Sequence, residues 1–341
     1  MPVACRRQRI SAQGRSYLAR WSGAALSVVK LRMRGLSADC PVCGEGGTVL
    51  SQWVRGAGEK PMYVCHQNGS KEGEFCRLSR HQADEIRQQL TISSADVRKI
   101  LRLGSSYVLF SGGKDSLCLL HYVKAIADEC GASIEAIHAN TTAGFPEVEA
   151  YVQKVCRLLK VRLHTVRPHR DFFETAKRWG IPGPRSRWCC ETLKVAPIRR
   201  FLQGVNGPTV ILDGIRAAES YARSKYTPVW YHPAFKCISA SAIFHWSDAK
   251  VESYLKASGL PRSPAAKLGM SAECWCGAYQ GRADFEALLS VHPEIYRKLE
   301  EVERAQKGKY TFVREKGKRT TLRAIRVAAG KPRRRTGDHK A

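Results

Sequence analysis

Between residues 105 and 290, short apolar runs alternate with amphipathic stretches, and no other feature limits the fold of this chain so tightly. "YVLF" precedes a helical pattern at about 115–128, and "SIEAIHAN" precedes "PEVEAYVQKVCRLLK", where Pro146 suits a first helical turn. "VRLHTVRP" precedes "DFFETAKRWG", and "APIRRFLQG" leads into the strand-like "TVILDGI". Parallel neighbours in a sheet need a crossover between them, so this order predicts an α/β fold: a doubly wound parallel sheet with helices on both faces. Ligands of such sheets gather beyond the carboxyl ends of the strands. The unusual segments sit at those ends: "SGGKDS", "NTTAGFPE", "RPHRD" and "DGIRAAES".

The remaining sequence divides around this segment. A basic arm occupies 1–37, a zinc-ribbon-like module 38–80, a helical linker 81–104, the α/β segment 105–290, and a helical, basic tail 291–341. The arm is Arg-rich and acid-free, as in a transit peptide, but lacks a signal-type apolar core and is read as a mature arm. No apolar run is long enough to span a bilayer, so a cytoplasmic chain with no membrane partner is expected. Fifty-seven Lys and Arg against thirty Asp and Glu give a net charge of +27, concentrated toward the two ends. Such an excess repels itself in a compact state and is best tolerated beside a polyanion, so nucleic acid, tRNA or DNA, is the expected partner. The competing explanation is a pair of solvated tails.

"SGGKDS" supplies the chemistry. A strand that feeds two glycines into a helix start leaves free amides and a positive dipole end aimed at an anion. Gly112 and Gly113 let the backbone approach a phosphate oxygen. Ser111 and Ser116 offer hydroxyls, Lys114 a mobile cation, and Asp115 a carboxylate for a Mg²⁺-bound water or for capping. In this context the six residues resemble the PP-loop of the ATP pyrophosphatases (adenine nucleotide alpha-hydrolases), which cut ATP between its α and β phosphates.

Further blocks, "TTAGFPEVEAYV", "RSRWCCETLKVAPIRRFL", "DGIRAAESYARSKY", "FHWSDAKVESYLKASGLPRSP" and "SAECWCGAY", resemble the phosphoadenosine phosphosulfate (PAPS) reductase family in sequence order across about 105–280. The resemblance implies that Ser111, Gly112, Gly113, Lys114, Asp115 and Ser116 bind phosphates and that Lys194, Arg216 and Glu219 line the nucleotide pocket. The plainer reading of Arg216 and Glu219 is a surface ion pair. Two departures separate this chain from the reductases. Their loop is degenerate, whereas this one is intact; and they end in a Glu-Cys-Gly-Leu-His-type segment, whereas Cys276 is the last cysteine here. Attack on a sulfonate sulfur then has no evident nucleophile.

Thirteen cysteines, an odd and clustered set, point to metal rather than to disulfides. Cys40 and Cys43 on a Pro-Val knuckle, with Cys65 and Cys76 from a returning strand, read as a structural Zn²⁺ site; ten residues separate the second pair, so His66 is an alternative to Cys65. Arg55 and Lys60 nearby could grip nucleic acid. Cys118, Cys130 and Cys156 read as buried structural thiols, and Cys5 and Cys237 stay unassigned, Cys237 as a spare ligand. The family resemblance implies a [4Fe-4S] cluster on Cys189, Cys190, Cys274 and Cys276. Cys-Trp-Cys is tighter than the family's Cys-x-x-Cys, which leaves zinc or a redox-active thiol pair as alternatives. Adjacent cysteines also require a turn near Trp188–Glu191. Together these readings predict ATP- and Mg²⁺-dependent adenylation followed by sulfur transfer, with Lys114, Asp115, Cys189 and Cys190 as catalytic residues and a separate sulfur donor. A sulfonucleotide (PAPS/APS) reductase is the alternative. Related folds often pair, so a homodimer is an open expectation.

Overall fold

The computed structural model describes residues 37–51, 62–66, 75–232, 234–268, 274–315 and 318–329. The basic arm, the end of the tail, Arg55 and Lys60 lie outside the described residues. Those described form two compact units. One takes the described residues up to His138 with Val152–His164 and Arg199–Arg262; the other takes Ala139–Tyr151, Thr165–Ile198 and the described residues from Ser263 onward.

The first unit opens with a small antiparallel sheet in the order β1 (Ser37–Asp39), β2 (Gly46–Ser51), β3 (Met62–Cys65), β4 (Phe75–Arg77). Period-2 alternation sends Met62, Val64 and His66 into its interior, where Val49, Cys76 and Leu78 join them. Ile86 and Leu90, from α1 (Arg80–Gln89) and its C-cap, close this core. So small a core stabilises little on its own. Ser79 and Gln82 form a capping box on α1, and Ser93 and Asp96 form another on α2 (Ser94–Leu101).

The central sheet has six strands in the order β7 (Arg162–Val166), β6 (Ile134–Ala139), β5 (Ser105–Leu109), β8 (Thr209–Leu212), β10 (Cys237–Ala240), β9 (Val229–His232). β5 pairs in parallel with β6 and β8, and β8 with β10. β9 departs from the expected parallel arrangement and runs antiparallel at the edge, because the link from His232 to Cys237 is too short for a crossover. The inner strands β8 and β10 are buried almost throughout, whereas edge strand β7 is not. From β5 the chain proceeds outward to β6 and β7, then returns to β8 on the opposite side of β5. The order therefore reverses between β5 and β8, where an open α/β sheet leaves a crevice.

Helices α3 (Lys114–Cys130), α4 (Pro146–Leu158) and α5 (Phe172–Trp179) follow β5, β6 and β7; α6 (Ala196–Gln203) leads into β8, and α7 (Asp248–Ser258) follows β10. Within the first unit α3 packs on α2 and α7. In the second unit α9 (Pro293–Ala305) packs on α5, α8 (Arg282–Val291) and α10 (Leu322–Ala329). Buried Glu303 accepts the amides of Phe312 and Leu322 at 3.1 and 2.7 Å, tying the C-terminal segment to α9. Burial raises its pKa. Among the described residues no helix is long and apolar enough to cross a membrane.

Gly104 enters β5 against the backbone of Pro208, whose carbonyl oxygen would lie 2.1 Å from an added Cβ. Backbone cannot yield cheaply there, so Gly104→Ala is expected to cost about 1–3 kcal/mol. A urea-melt midpoint that falls at unchanged m-value is the expected result; an unchanged midpoint would show that the two segments do not meet this closely.

Candidate functional site

The loop at 111–116 sits where the strand order reverses. Gly112 has φ of +91°, a left-handed conformation that disfavours any side chain. Gly113 is the N-cap of α3 and supplies no side-chain cap. Four other helices differ: Ser79, Ser93, Asp171 and Ser247 each cap the helix that follows. The first turn of α3 therefore keeps the amides that an anion can accept from. Ser111 and Ser116 hydroxyls lie 2.9 Å apart; the Ser111 oxygen accepts the Gly113 amide, and Ser116 donates to the Gly113 carbonyl. Both seryl side chains thus brace the turn. Gly214, after β8, passes so close to α3 that an added Cβ would stand 3.2 Å from the Asp115 carbonyl carbon and the Ser116 nitrogen.

Charge at the loop is organised by Arg216, which is 1% exposed. Its Nε donates to Asp115 Oδ1 at 2.8 Å, Nη2 to Asp248 Oδ1 at 2.8 Å, and Nη1 to the Trp246 carbonyl at 3.0 Å. Lys114 Nζ reaches the same two carboxylates, at 3.2 Å to Asp115 and 2.8 Å to Asp248. Hydrogen bonds from Lys114 and Arg216 lower the Asp248 pKa. Burial opposes the Lys114 charge, yet the bond to Asp248 and the nearby Asp115 leave its pKa raised. Two cations and two carboxylates balance, and Asp248, the most exposed member at 67%, opens the α7 helix. Glu219 does not pair with the Arg216 guanidinium. Its carboxylate accepts the Arg216 backbone amide at 2.8 Å and meets the Arg223 side chain. Asp115, expected to face a hydrated Mg²⁺ or cap the helix, is held by Arg216 and Lys114. Asp248, Trp246 and Gly214 were not singled out in the sequence; a Ser-Asp helix start in "HWSDAK" marks the first, but its partner lies 134 residues away.

The N-terminal module brings together Cys40, Cys43, His66 and Cys76, with their ligand atoms all within 4.8 Å of one another. His66 Nε2 lies 3.5 Å from Cys43 Sγ and 3.4 Å from Cys76 Sγ, and the two sulfurs are 4.0 Å apart. Bond lengths at a tetrahedral zinc ion require about 3.8 Å between sulfurs and about 3.5 Å between sulfur and nitrogen. Nδ1 of His66 is 3.4 Å from the Gly46 carbonyl, which can fix the tautomer and leave Nε2 as the ligand. Gly44, at φ of +76°, turns the Cys40–Cys43 knuckle. The group contains His66, the alternative left open by the sequence; Cys65 ends β3, and its side chain lies outside what the structure describes.

In the second unit Cys189, Cys190, Cys274 and Cys276 also meet. The turn expected at Trp188–Glu191 is instead a helix start that widens into a π-turn at Cys190–Val195. Cys274 and Cys276 sulfurs are 3.5 Å apart. Cys189 keeps its proton and donates it to Cys190, which pushes Cys189 up to about 12 and brings Cys190 down to about 7. Lys194, in the same turn, favours the Cys190 thiolate electrostatically. A hydrogen bond to Cys189 raises Cys276 to about 11. Cys118, Cys156 and Cys237 are each buried and pushed up to about 12 by desolvation, as inert structural thiols are. Cys237 lies in β10, packed into the central sheet of the first unit.

Residues 105–271 match the phosphoadenosine phosphosulfate reductase domain. The chain carries a domain of that family. The chain is 29% identical to an uncharacterized protein of Methanocaldococcus jannaschii over 209 residues, 60% of this chain and 42% of that one. It spans less than half the length of both relatives it matches in that organism. An adenosine 5'-phosphosulfate reductase of Mycolicibacterium smegmatis is 23% identical over 206 residues, 57% of this chain and 80% of the enzyme. Among solved structures, the U34-tRNA thiolase NcsA from Methanococcus maripaludis with its [4Fe-4S] cluster is similar at a TM-score of 0.39 and 15% identity, over 80% of this chain and 88% of that one.

Arg216 offers three donors in three directions, a geometry that a lysine cannot reproduce. Arg216→Lys is expected to lower both the melting temperature and the affinity for ATP, and Arg216→Ala to cost about 3–5 kcal/mol by stranding Asp115. Calorimetry with nucleotide titration checks both; a wild-type melt for Arg216→Ala would remove this residue from the centre of the site.

Proposed function

We propose that this member of the PAPS reductase family is a PP-loop enzyme that splits ATP to AMP and pyrophosphate, adenylates a nucleic-acid base and exchanges the activated oxygen for sulfur. The observation that carries the reading is an intact, side-chain-uncapped Ser111–Ser116 loop in the same chain as a four-thiol group.

The α3 amides and the Ser111–Ser116 backbone receive the ATP phosphates. Lys114 exchanges Asp248 for a phosphate oxygen and offsets the charge that develops on departing pyrophosphate. Arg216 stays with Asp115 and keeps the start of α3 in place. Mg²⁺ bound to the phosphates would supply further charge neutralisation beside Lys114. A base carbonyl oxygen attacks the α-phosphorus as the bond to pyrophosphate breaks. A sulfur nucleophile from a donor then adds to the activated carbon, and AMP leaves with the oxygen. Arg216 and Glu219 would complete the nucleotide pocket within the first unit.

Cys189, Cys190, Cys274 and Cys276 would hold a [4Fe-4S] cluster, for which four thiolates are the fitting donor set. When bound, such a cluster supplies thiophilic iron. Cys40, Cys43, His66 and Cys76 would hold a structural Zn²⁺. The charge of +27 favours nucleic acid as the acceptor, tRNA first and DNA phosphorothioation second, where a non-bridging phosphate oxygen takes the place of the base carbonyl and phosphorus that of the base carbon. The reductase domain match favours one other reading, a sulfonucleotide reductase.

Release of pyrophosphate from ATP that depends on added RNA or DNA is the expected result. Sulfite formation from PAPS with thioredoxin, without nucleic-acid dependence, would establish the reductase instead. Anaerobically purified protein should contain iron, sulfide and zinc; zinc alone would remove the sulfur-handling role of the second thiol group. His66→Ala is expected to lose the zinc while Cys65→Ser retains it, measured by metal content per chain, and the reverse pattern would return Cys65 to the ligand set.

A further inference from the structure

Tyr279 stands three residues beyond Cys276 and is 67% exposed. An exposed ring of this size contributes little to folding, yet the loop that carries it is fixed at both ends. Gln280 accepts the Gly277 amide through Oε1 at 2.9 Å and donates through Nε2 to the Cys274 carbonyl at 3.0 Å, closing the loop upon itself. Gly277 adopts φ of +83°, and an added Cβ would lie 2.5 Å from the Phe312 ring, so the loop is also pressed onto the interior of its unit. Arg187 meets the ring from the other cysteine segment. Its Nη1 donates to the Tyr279 hydroxyl at 2.7 Å, and its guanidinium carbon stands 5.9 Å from the ring centroid.

Arg187 is itself exposed and pre-positioned. Reciprocal backbone hydrogen bonds between Gly183 and Ser186, at 3.2 and 3.0 Å, pin a tight turn just before it. That turn presents Arg185 to solvent, and the stretch 182–190 carries two arginines and no acid. A rigid, exposed aromatic beside a guanidinium plane, with a second cation alongside, matches the way unpaired bases are held: by stacking, with phosphate contacts next to it. Both residues flank the thiols in sequence, Arg187 two before Cys189 and Tyr279 three after Cys276.

We infer that Tyr279 and Arg187 form a stacking platform for an unpaired base of single-stranded nucleic acid beside the Cys189–Cys276 group, with Arg185 on the flanking phosphate. This rests on the nucleic-acid reading above and names the form in which the acceptor is bound.

The experiment is equilibrium binding of a fluorescein-labelled single-stranded RNA oligonucleotide to the full, anaerobically purified chain and to its Tyr279→Ala, Tyr279→Phe and Arg187→Ala variants. ATP affinity, iron content and melting temperature are measured on the same samples. Tyr279→Ala is expected to weaken RNA binding about tenfold, and Tyr279→Phe to stay within about twofold of wild type, since the ring survives. Arg187→Ala should weaken binding and flatten its salt dependence. ATP affinity, iron and melting should not move. If wild type binds RNA and Tyr279→Ala binds equally well, the platform is wrong and the nucleic-acid reading stands. If wild type binds no RNA or DNA even at low salt, both fall. If Tyr279→Ala loses ATP affinity instead, the ring serves the adenine of ATP and the assignment is overturned.

Discussion

A single buried guanidinium sets the geometry on which the rest of the nucleotide loop depends. Arg216 joins the start of α3 through Asp115, the start of α7 through Asp248, and the turn between through the Trp246 carbonyl. Removing such a cation from water is costly, and only complete satisfaction of its donors offsets that cost. The three bonds therefore act together. Arg216 is also positioned by its own backbone, because Glu219 accepts its amide and Gly214, two residues before, allows the strand-end segment to touch α3. Asp213, buried at the end of β8, accepts the hydroxyls of Ser239 and Ser241, which anchors the root of this segment to β10.

That arrangement explains how a loop built for polyanions can exist without one. An unpaired lysine beside a positive helix end would repel its surroundings; Asp248 supplies the missing charge from a position two-thirds open to water. A carboxylate there is cheap to displace, whereas Asp115, four-fifths covered, is not. The two acids thus play unequal parts: Asp115 holds the scaffold from within, and Asp248 balances Lys114 from the surface. The N-terminus of α7 favours the Asp248 charge, as helix dipoles do for any acid in a first turn.

Legibility followed sequence distance. The strand–loop–helix at 105–130 was readable because every signal in it is local: an apolar run, two glycines, then a helical period. The parallel sheet followed from alternation, and the antiparallel β9 did not, since a short link had to be weighed against that alternation. The inward placement of His66 follows from strand parity: Met62, Val64 and His66 share the buried face, as a period-2 reading of β3 predicts. The Arg216 network was partly hidden. "GIRAAES" marked the arginine, but nothing in it foretold Asp248, and the assumed Arg216–Glu219 ion pair gave way to contacts made across 101 and 32 residues. The N-terminal basic arm and the end of the basic tail, which suggested nucleic acid, lie outside the described residues.

The Cys-Trp-Cys segment shows how a shortened spacing can still deliver two sulfurs to one place. Cys274 and Cys276 lie outside helix and strand, and their sulfurs stand 3.5 Å apart with Trp275 between them in sequence. Trp275, between them, is 1% exposed and packs edge-to-face on Phe145 at 4.4 Å, while its amide donates to the Ala143 carbonyl at 2.6 Å. The indole is thus the anchor of the segment, with one thiol before it and one after it in sequence. Adjacent Cys189 and Cys190 face the opposite problem, since neighbours on a helix diverge by about 100°. Widening into a π-turn begins at Cys190, where it changes the angle between them. Each half of the thiol group therefore rests on its own local backbone, and only the Cys274–Cys276 half departs from the spacing of the family it resembles.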